Sequence, residues 1–139
     1  MTVAKARTAE ALSPMLAFFH RIEGKVLHAA WKVHTEGSLD RLILDFGSDA
    51  LIVVADENDD SIDITVADVA NLGTTDAVDG SNLDPWKRFV GQAFGWGWVT
   101  VNQQGYTDGL LLSFGGIVPQ VAINVIASSI KVSTITSTA

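Results

Sequence analysis

Gly37-Ser-Leu-Asp40-Arg-Leu42-Ile-Leu44-Asp-Phe46-Gly47 decides how the chain is read, because it is written again as Gly105-Tyr-Thr-Asp108-Gly-Leu110-Leu-Leu112-Ser-Phe114-Gly115. In both copies Leu-x-Leu-x-Phe alternates with the period of a strand that buries one face, and a glycine stands at each end. Carried without gaps over Ala29 to Ile64 against Gly97 to Val132, the same offset also pairs Val33 with Val101, Val53 with Val121, Ser61 with Ser129 and Ile62 with Ile130. Ten of thirty-six positions are then identical, where composition would give about two to four. The sequence predicts an internal duplication.

Outward from these strands, the flanks supply helices. Ser13-Pro14 has the form of an N-cap followed by proline at the first helical position, and Met15, Phe18, Phe19 and Ile22 then fall on one stripe that Gly24 closes. Asp84-Pro85 repeats that logic, opening a short helix through Trp86, Phe89 and Val90 to Gly91. After Gly24 the period changes to two. Leu27, Ala29, Trp31 and Val33 are expected inward, then Leu42, Leu44 and Phe46, then a central strand at Leu51 to Ala55, then Ile62, Ile64 and Val66. Strands in the second half are expected near 93 to 103, 108 to 114, 118 to 126 and 129 to 136, with Pro119 delaying the third or bulging it. The predicted fold class is α+β: an internally duplicated helix plus about four antiparallel strands, the two halves sharing one core. The organisation is one domain over 1–139, with 1–12 a frayed helix or flexible arm, 13–66 the first half, 67–83 a connection without sustained period, and 84–136 the second half.

Composition narrows the function classes. The chain has 139 residues, is 47% apolar, lacks cysteine and carries a net charge of −7. Without cysteine there is neither a disulfide framework nor a thiolate nucleophile. The acidic balance, with no basic cluster to offset it, speaks against nucleic acid or an anionic membrane as partner. The N-terminus has no uninterrupted apolar run of the signal-peptide kind, and the apolar region from Leu110 to Ala127 is broken too often to span a bilayer. A soluble cytoplasmic protein is expected.

No nucleophile elbow, phosphate-cradling glycine loop or His/Glu ligand spacing is found. His28 and His34 share a strand face but stand about 20 Å apart. Asp40 and Asp108 recur where each Leu-x-Leu-x-Phe strand begins, as expected of carboxylates that cap a turn. Asp56-Glu57-Asn58-Asp59-Asp60 places oxygens at alternate positions like the opening of a calcium loop, but Ser61 stands where that loop needs glycine and Ala67 where it needs glutamate. No metal and no cofactor are expected. The two halves differ most at Phe94-Gly-Trp96-Gly-Trp98, where a bulge near Gly95 or Gly97 is expected. Trp96 and Trp98 either pack beneath the neighbouring helix or form an aromatic platform, rimmed by Asn102, Gln103, Gln104 and Tyr106, for a protein partner or flat ligand. Trp96, Trp98, Asn102, Gln104 and Tyr106 are the candidate site residues.

The run Gly95-Trp-Gly-Trp-Val-Thr-Val-Asn-Gln-Gln-Gly-Tyr106, followed by Leu110-Leu-Leu-Ser-Phe114, resembles a small family of bacterial domains without an assigned function. The likeness covers about residues 20 to 135 and implies no catalytic residue. Small acidic cysteine-free bacterial domains of this kind are similar in character to immunity proteins that block a secreted toxin. Two function classes follow. The first is a non-catalytic protein-binding module, either an immunity-type inhibitor or the subunit of a homo-oligomer such as a homodimer. The second is a small enzyme or small-ligand-binding protein with a pocket at the junction of the two halves.

Overall fold

The computed structural model describes residues 3–56, 60–72 and 76–135, and side chains from residue 12 onward within them. Nine strands and one α-helix lie among these residues: α1 (Val3–Ile22), β1 (Ala29–Thr35), β2 (Ser38–Asp45), β3 (Asp49–Asp56), β4 (Ser61–Asp68), β5 (Ala77–Asp79), β6 (Phe94–Val101), β7 (Thr107–Phe114), β8 (Val121–Ile126) and β9 (Ser129–Thr134). They form two antiparallel sheets, ordered β4-β3-β2-β1-β5 and β6-β7-β8-β9.

The protein is therefore mainly β, which corrects the expected α+β duplication of a helix followed by strands. The second helix does not form. Trp86–Arg88 makes a single 3-10 turn with no side-chain cap, and Asp84 instead pairs at 3.5 Å with exposed Arg88. In the first half the helix begins at Val3, eleven positions before the expected first helical residue Pro14, so Ser13 is not its cap and Pro14 lies inside it. Pro14 is exposed, so water can satisfy the carbonyl that proline leaves without a donor. The ungapped offset also fails in pairing: Leu42 stands opposite Val53, but Leu110 stands opposite Ile123, two residues beyond the aligned position. A shift of two preserves which face each side chain takes, so the alternation reads the same although the register differs. Finally, the expected connection at 67–83 contains β5, which pairs with β1 through Trp31 opposite Asp79 and Val33 opposite Ala77.

The inner faces meet in one core, which includes Leu42, Leu44, Leu51, Val53, Ile64 and Val66 from the first sheet and Leu110, Leu112, Val121, Ile123 and Ile130 from the second. Thr107 Oγ1 donates across the gap to the Ile62 carbonyl at 3.1 Å. At the other margin the approaches to β1 and β6 pair with each other: Gly24 N donates to Phe94 O, Phe94 N to Lys25 O, Leu27 N to Gln92 O and Gly91 N to Leu27 O, all at 2.8–3.0 Å. α1 contacts β6, β4 and β3, filling the side of the sandwich between the two sheet edges β4 and β6. Met15, Phe19 and Ile22 are buried, and Phe18 packs partly against the core, as the stripe predicts.

β1 turns the other way from the expectation. Ala30, opposite Leu44, is the buried inward residue, whereas Trp31 lies opposite Ile43 and is half-buried on the outer face with Ala29 and Val33. Leu27 does point inward, but it precedes the strand, and the break in alternation before Ala29 reverses the face of every later residue. Ile43 is only 2% exposed although it lies outside the inner core. The link from β4 to β5 joins opposite edges of this sheet, and Val69 and Leu72 on it are half-buried.

Candidate functional site

Trp96 and Trp98 sit on β6, an edge strand, with ring centroids 6.1 Å apart and planes tilted by 31°. The expected bulge occurs between Phe94 and Gly97 and sets their direction. Beyond it, Trp98 stands opposite Leu111, while Val99 stands opposite the core residue Leu110. The outer face thus carries the indole of Trp98. Trp98 is half-buried and Trp96 is 54% exposed. The tryptophan that serves the core is Trp86, which is fully buried.

The glycines around Trp96 have separate steric causes. A Cβ on Gly97 would lie 2.5 Å from Cδ1 of Phe19, so this glycine is where α1 lies against β6. A Cβ on Gly95 would run into the carbonyl oxygen of Gly116 and the hydroxyl of Ser113. Ser113 is the residue that sequence reasoning missed. Its Oγ is fully buried on β7, donates to the Gly116 carbonyl at 2.6 Å and accepts from the Trp96 N–H at 2.8 Å, which fixes the backbone of the exposed Trp. Its signal was a lone polar residue inside Leu-Leu-Leu-Ser-Phe.

Two clefts adjoin Trp96. One, of about 170 Å³, lies between α1 and β6 and is lined by Leu16, Phe19, His20, Glu23 and Gly95 to Gly97. The other, of about 340 Å³, runs from Glu23 and Gly24 past Trp96 to Gly115, Gly116 and Ile117. Leu16 and Ile117 on their walls are exposed, so the surface at the clefts is largely apolar.

The other candidate residues stand apart from this pair. Asn102 Oδ1 accepts from the N–H groups of Gln104 at 2.9 Å and Tyr106 at 3.1 Å, which makes it the organiser of the β6–β7 turn. It lies six positions along the chain from Trp96, about 20 Å on extended backbone. The rim of Asn102, Gln104 and Tyr106 is therefore a turn at the far end of the hairpin.

The carboxylates have structural partners. Asp40 and Asp108 do not cap turns through backbone N–H groups; they accept across their hairpins from the hydroxyls of Thr35 at 2.7 Å and Thr100 at 2.9 Å. Asp49 joins the end of α1 to β3, taking Lys25 Nζ at 2.8 Å and Arg21 at 3.0 Å. The Lys25 hydrogen bond, helped by Arg21 and opposed by burial, holds its carboxyl below the usual range. Asp79 is lowered by hydrogen bonds from Ser81. Asp60 accepts from Ser128 N at 2.7 Å, a contact between the two sheets at the β8–β9 turn, beside exposed Ile126. Residues 57–59 of the acidic turn lie outside the described residues. Among the described residues no group of three His, Asp or Glu side chains could hold a metal ion, and no helix is long and apolar enough to cross a membrane. A polar cleft of about 290 Å³, lined by Thr35, Glu36, Ser38, Asp40, Ala55 and Ser128, lies where the two sheets' hairpin ends meet.

The motif residues thus serve one architectural unit, and the match to known families covers the same stretch. The chain belongs to DUF6334, a family of unknown function. Residues 13–139 match the DUF6334 model, which takes in both sheets and the second half of α1. No curated protein and no solved structure gives a significant match to the chain.

Proposed function

We propose that this DUF6334 chain is a non-catalytic protein-binding module whose contact surface centres on Trp96. The observation that carries this is a largely exposed tryptophan on an edge strand, held by a buried serine and sharing its clefts with exposed Leu16 and Ile117. Tryptophans set among apolar neighbours dominate the energetics of protein contacts. Trp96 leaves roughly half of a side chain that can bury about 200 Å². Covering that half contributes about 2 to 3 kcal/mol at roughly 25 cal/mol per Å².

Whether the partner is a toxin-like target or a second copy is decided by solution mass: light scattering distinguishes a homodimer from a monomer that needs a different partner. The net charge of −7 opposes self-pairing at low salt and favours a basic partner. The module itself is tested by capturing partners from the source cell, purifying each one and titrating it against wild type and Trp96→Ala. The expected result is binding at least tenfold weaker for Trp96→Ala. Unchanged affinity would remove the contact from Trp96.

A small-ligand-binding protein is the second reading, favoured by the polar cleft between the sheets, where Asp40 Oδ1 is buried without a hydrogen-bond partner. A melting-temperature rise with small amines or polyols, lost in Asp40→Asn, would support it over the first.

A further inference from the structure

We infer that the clefts beside Trp96 receive an arginine or lysine side chain from a basic partner polypeptide. This deepens the protein-contact reading and rests on it. Glu23, Gly95 and Trp96 line both clefts. Apart from Glu23 and His20, the walls are apolar side chains and glycine backbone. An indole face attracts a cation through its ring quadrupole, and a carboxylate beside it supplies the opposite charge. Leu16 and Phe19 offer apolar surface for the alkyl stem that carries such a cation.

The charges close by leave Glu23 available for this role. Arg21 and Lys25 flank it in sequence, but both are engaged by Asp49, at 3.0 and 2.8 Å. His20 approaches Glu23 to 3.7 Å, beyond hydrogen-bond distance. Both side chains are well exposed, so an incoming guanidinium or ammonium can displace that loose contact. The net charge of −7 speeds encounter with a basic partner and repels a second copy of this chain. Trp98, the aromatic neighbour on the same strand, stands 6.1 Å away between ring centroids, and Trp96 still remains 54% exposed.

The experiment uses the full chain with nitrogen-15 labelling and two capped tripeptides, acetyl-Leu-Arg-Leu-amide and its citrulline counterpart, which has nearly the same shape without the charge. The readout is the indole N–H resonance of Trp96, assigned by its absence in Trp96→Ala. The arginine peptide should shift that resonance saturably and bind about tenfold or more tighter than the citrulline peptide. Glu23→Gln, with its other resonances in place to show an intact fold, should bring the two peptides level. Equal binding of both peptides by wild type overturns the cation inference and leaves the Trp96 contact standing. Absence of a saturable shift with the arginine peptide overturns it as well. The protein-contact reading falls on a separate result, unchanged partner affinity in Trp96→Ala.

Discussion

Gly97→Ala tests the joint between α1 and β6. The added methyl would stand 2.5 Å from Cδ1 and 2.6 Å from Cε1 and Cγ of Phe19, roughly 1 Å inside normal carbon–carbon contact. The ring has little room to yield, because Phe19 is buried and packs on Phe94 with centroids 6.0 Å apart, and Phe94 in turn meets Phe46 and Phe114 edge-on. Overpacking of this sort costs about 1 to 3 kcal/mol. Replacing glycine also restricts the unfolded chain, which returns about 0.4 to 1 kcal/mol. The net expectation is a loss of roughly 1 to 2 kcal/mol, read as a lower urea midpoint with unchanged slope. Phe19→Leu narrows the side chain, so the double variant should lose less than the sum of the singles. A Gly97→Ala chain within about 0.3 kcal/mol of wild type, or strict additivity with Phe19→Leu, would refute the proposed contact.

Leu44→Ala and Leu112→Ala each remove a fully buried side chain on facing sheets and should cost about 2 to 5 kcal/mol in denaturant unfolding; an effect below about 1 kcal/mol at either would contradict its inward position. Ser113→Ala leaves the Trp96 N–H and the Gly116 carbonyl without their partner, so a loss of about 1 to 3 kcal/mol is expected, together with a displaced Trp96 indole resonance. Because the folded-state pKa of Asp49 is lowered, its contribution is present above the ordinary carboxylate pKa and is lost as pH falls through the folded value. Asp49→Asn should therefore be less stable than wild type near pH 7, with the gap closing below about pH 4; a gap that does not change with pH would rule this out.

The alternating runs at Leu42 to Phe46, Ile62 to Val66 and Leu110 to Phe114 announced strands, because side-chain alternation is a property of the extended backbone alone and needs no distant partner. The bulge before Gly97, the delay of β8 past Pro119 and the apolar stripe of α1 were legible for the same local reason. The helix expected at Asp84-Pro85 did not form: Trp86 is drawn fully into the core, and a 3-10 turn is all that forms there. The face of Trp31 also lay beyond sequence reach, because a single irregularity before Ala29 reverses every later residue and only pairing with β2 reveals it. At the candidate site the sequence pointed to Trp96 and Trp98 but attached to them a rim that lies at the other end of the hairpin. Their real neighbours are Leu16, Phe19 and Glu23 of the helix region and Ile117 of a distant turn, joined by contacts between segments far apart in the chain. Local periodicity determined which segments are strands. Which faces meet, which tryptophan is buried and what surrounds the exposed one were decided by long-range packing, the only place where those residues become neighbours.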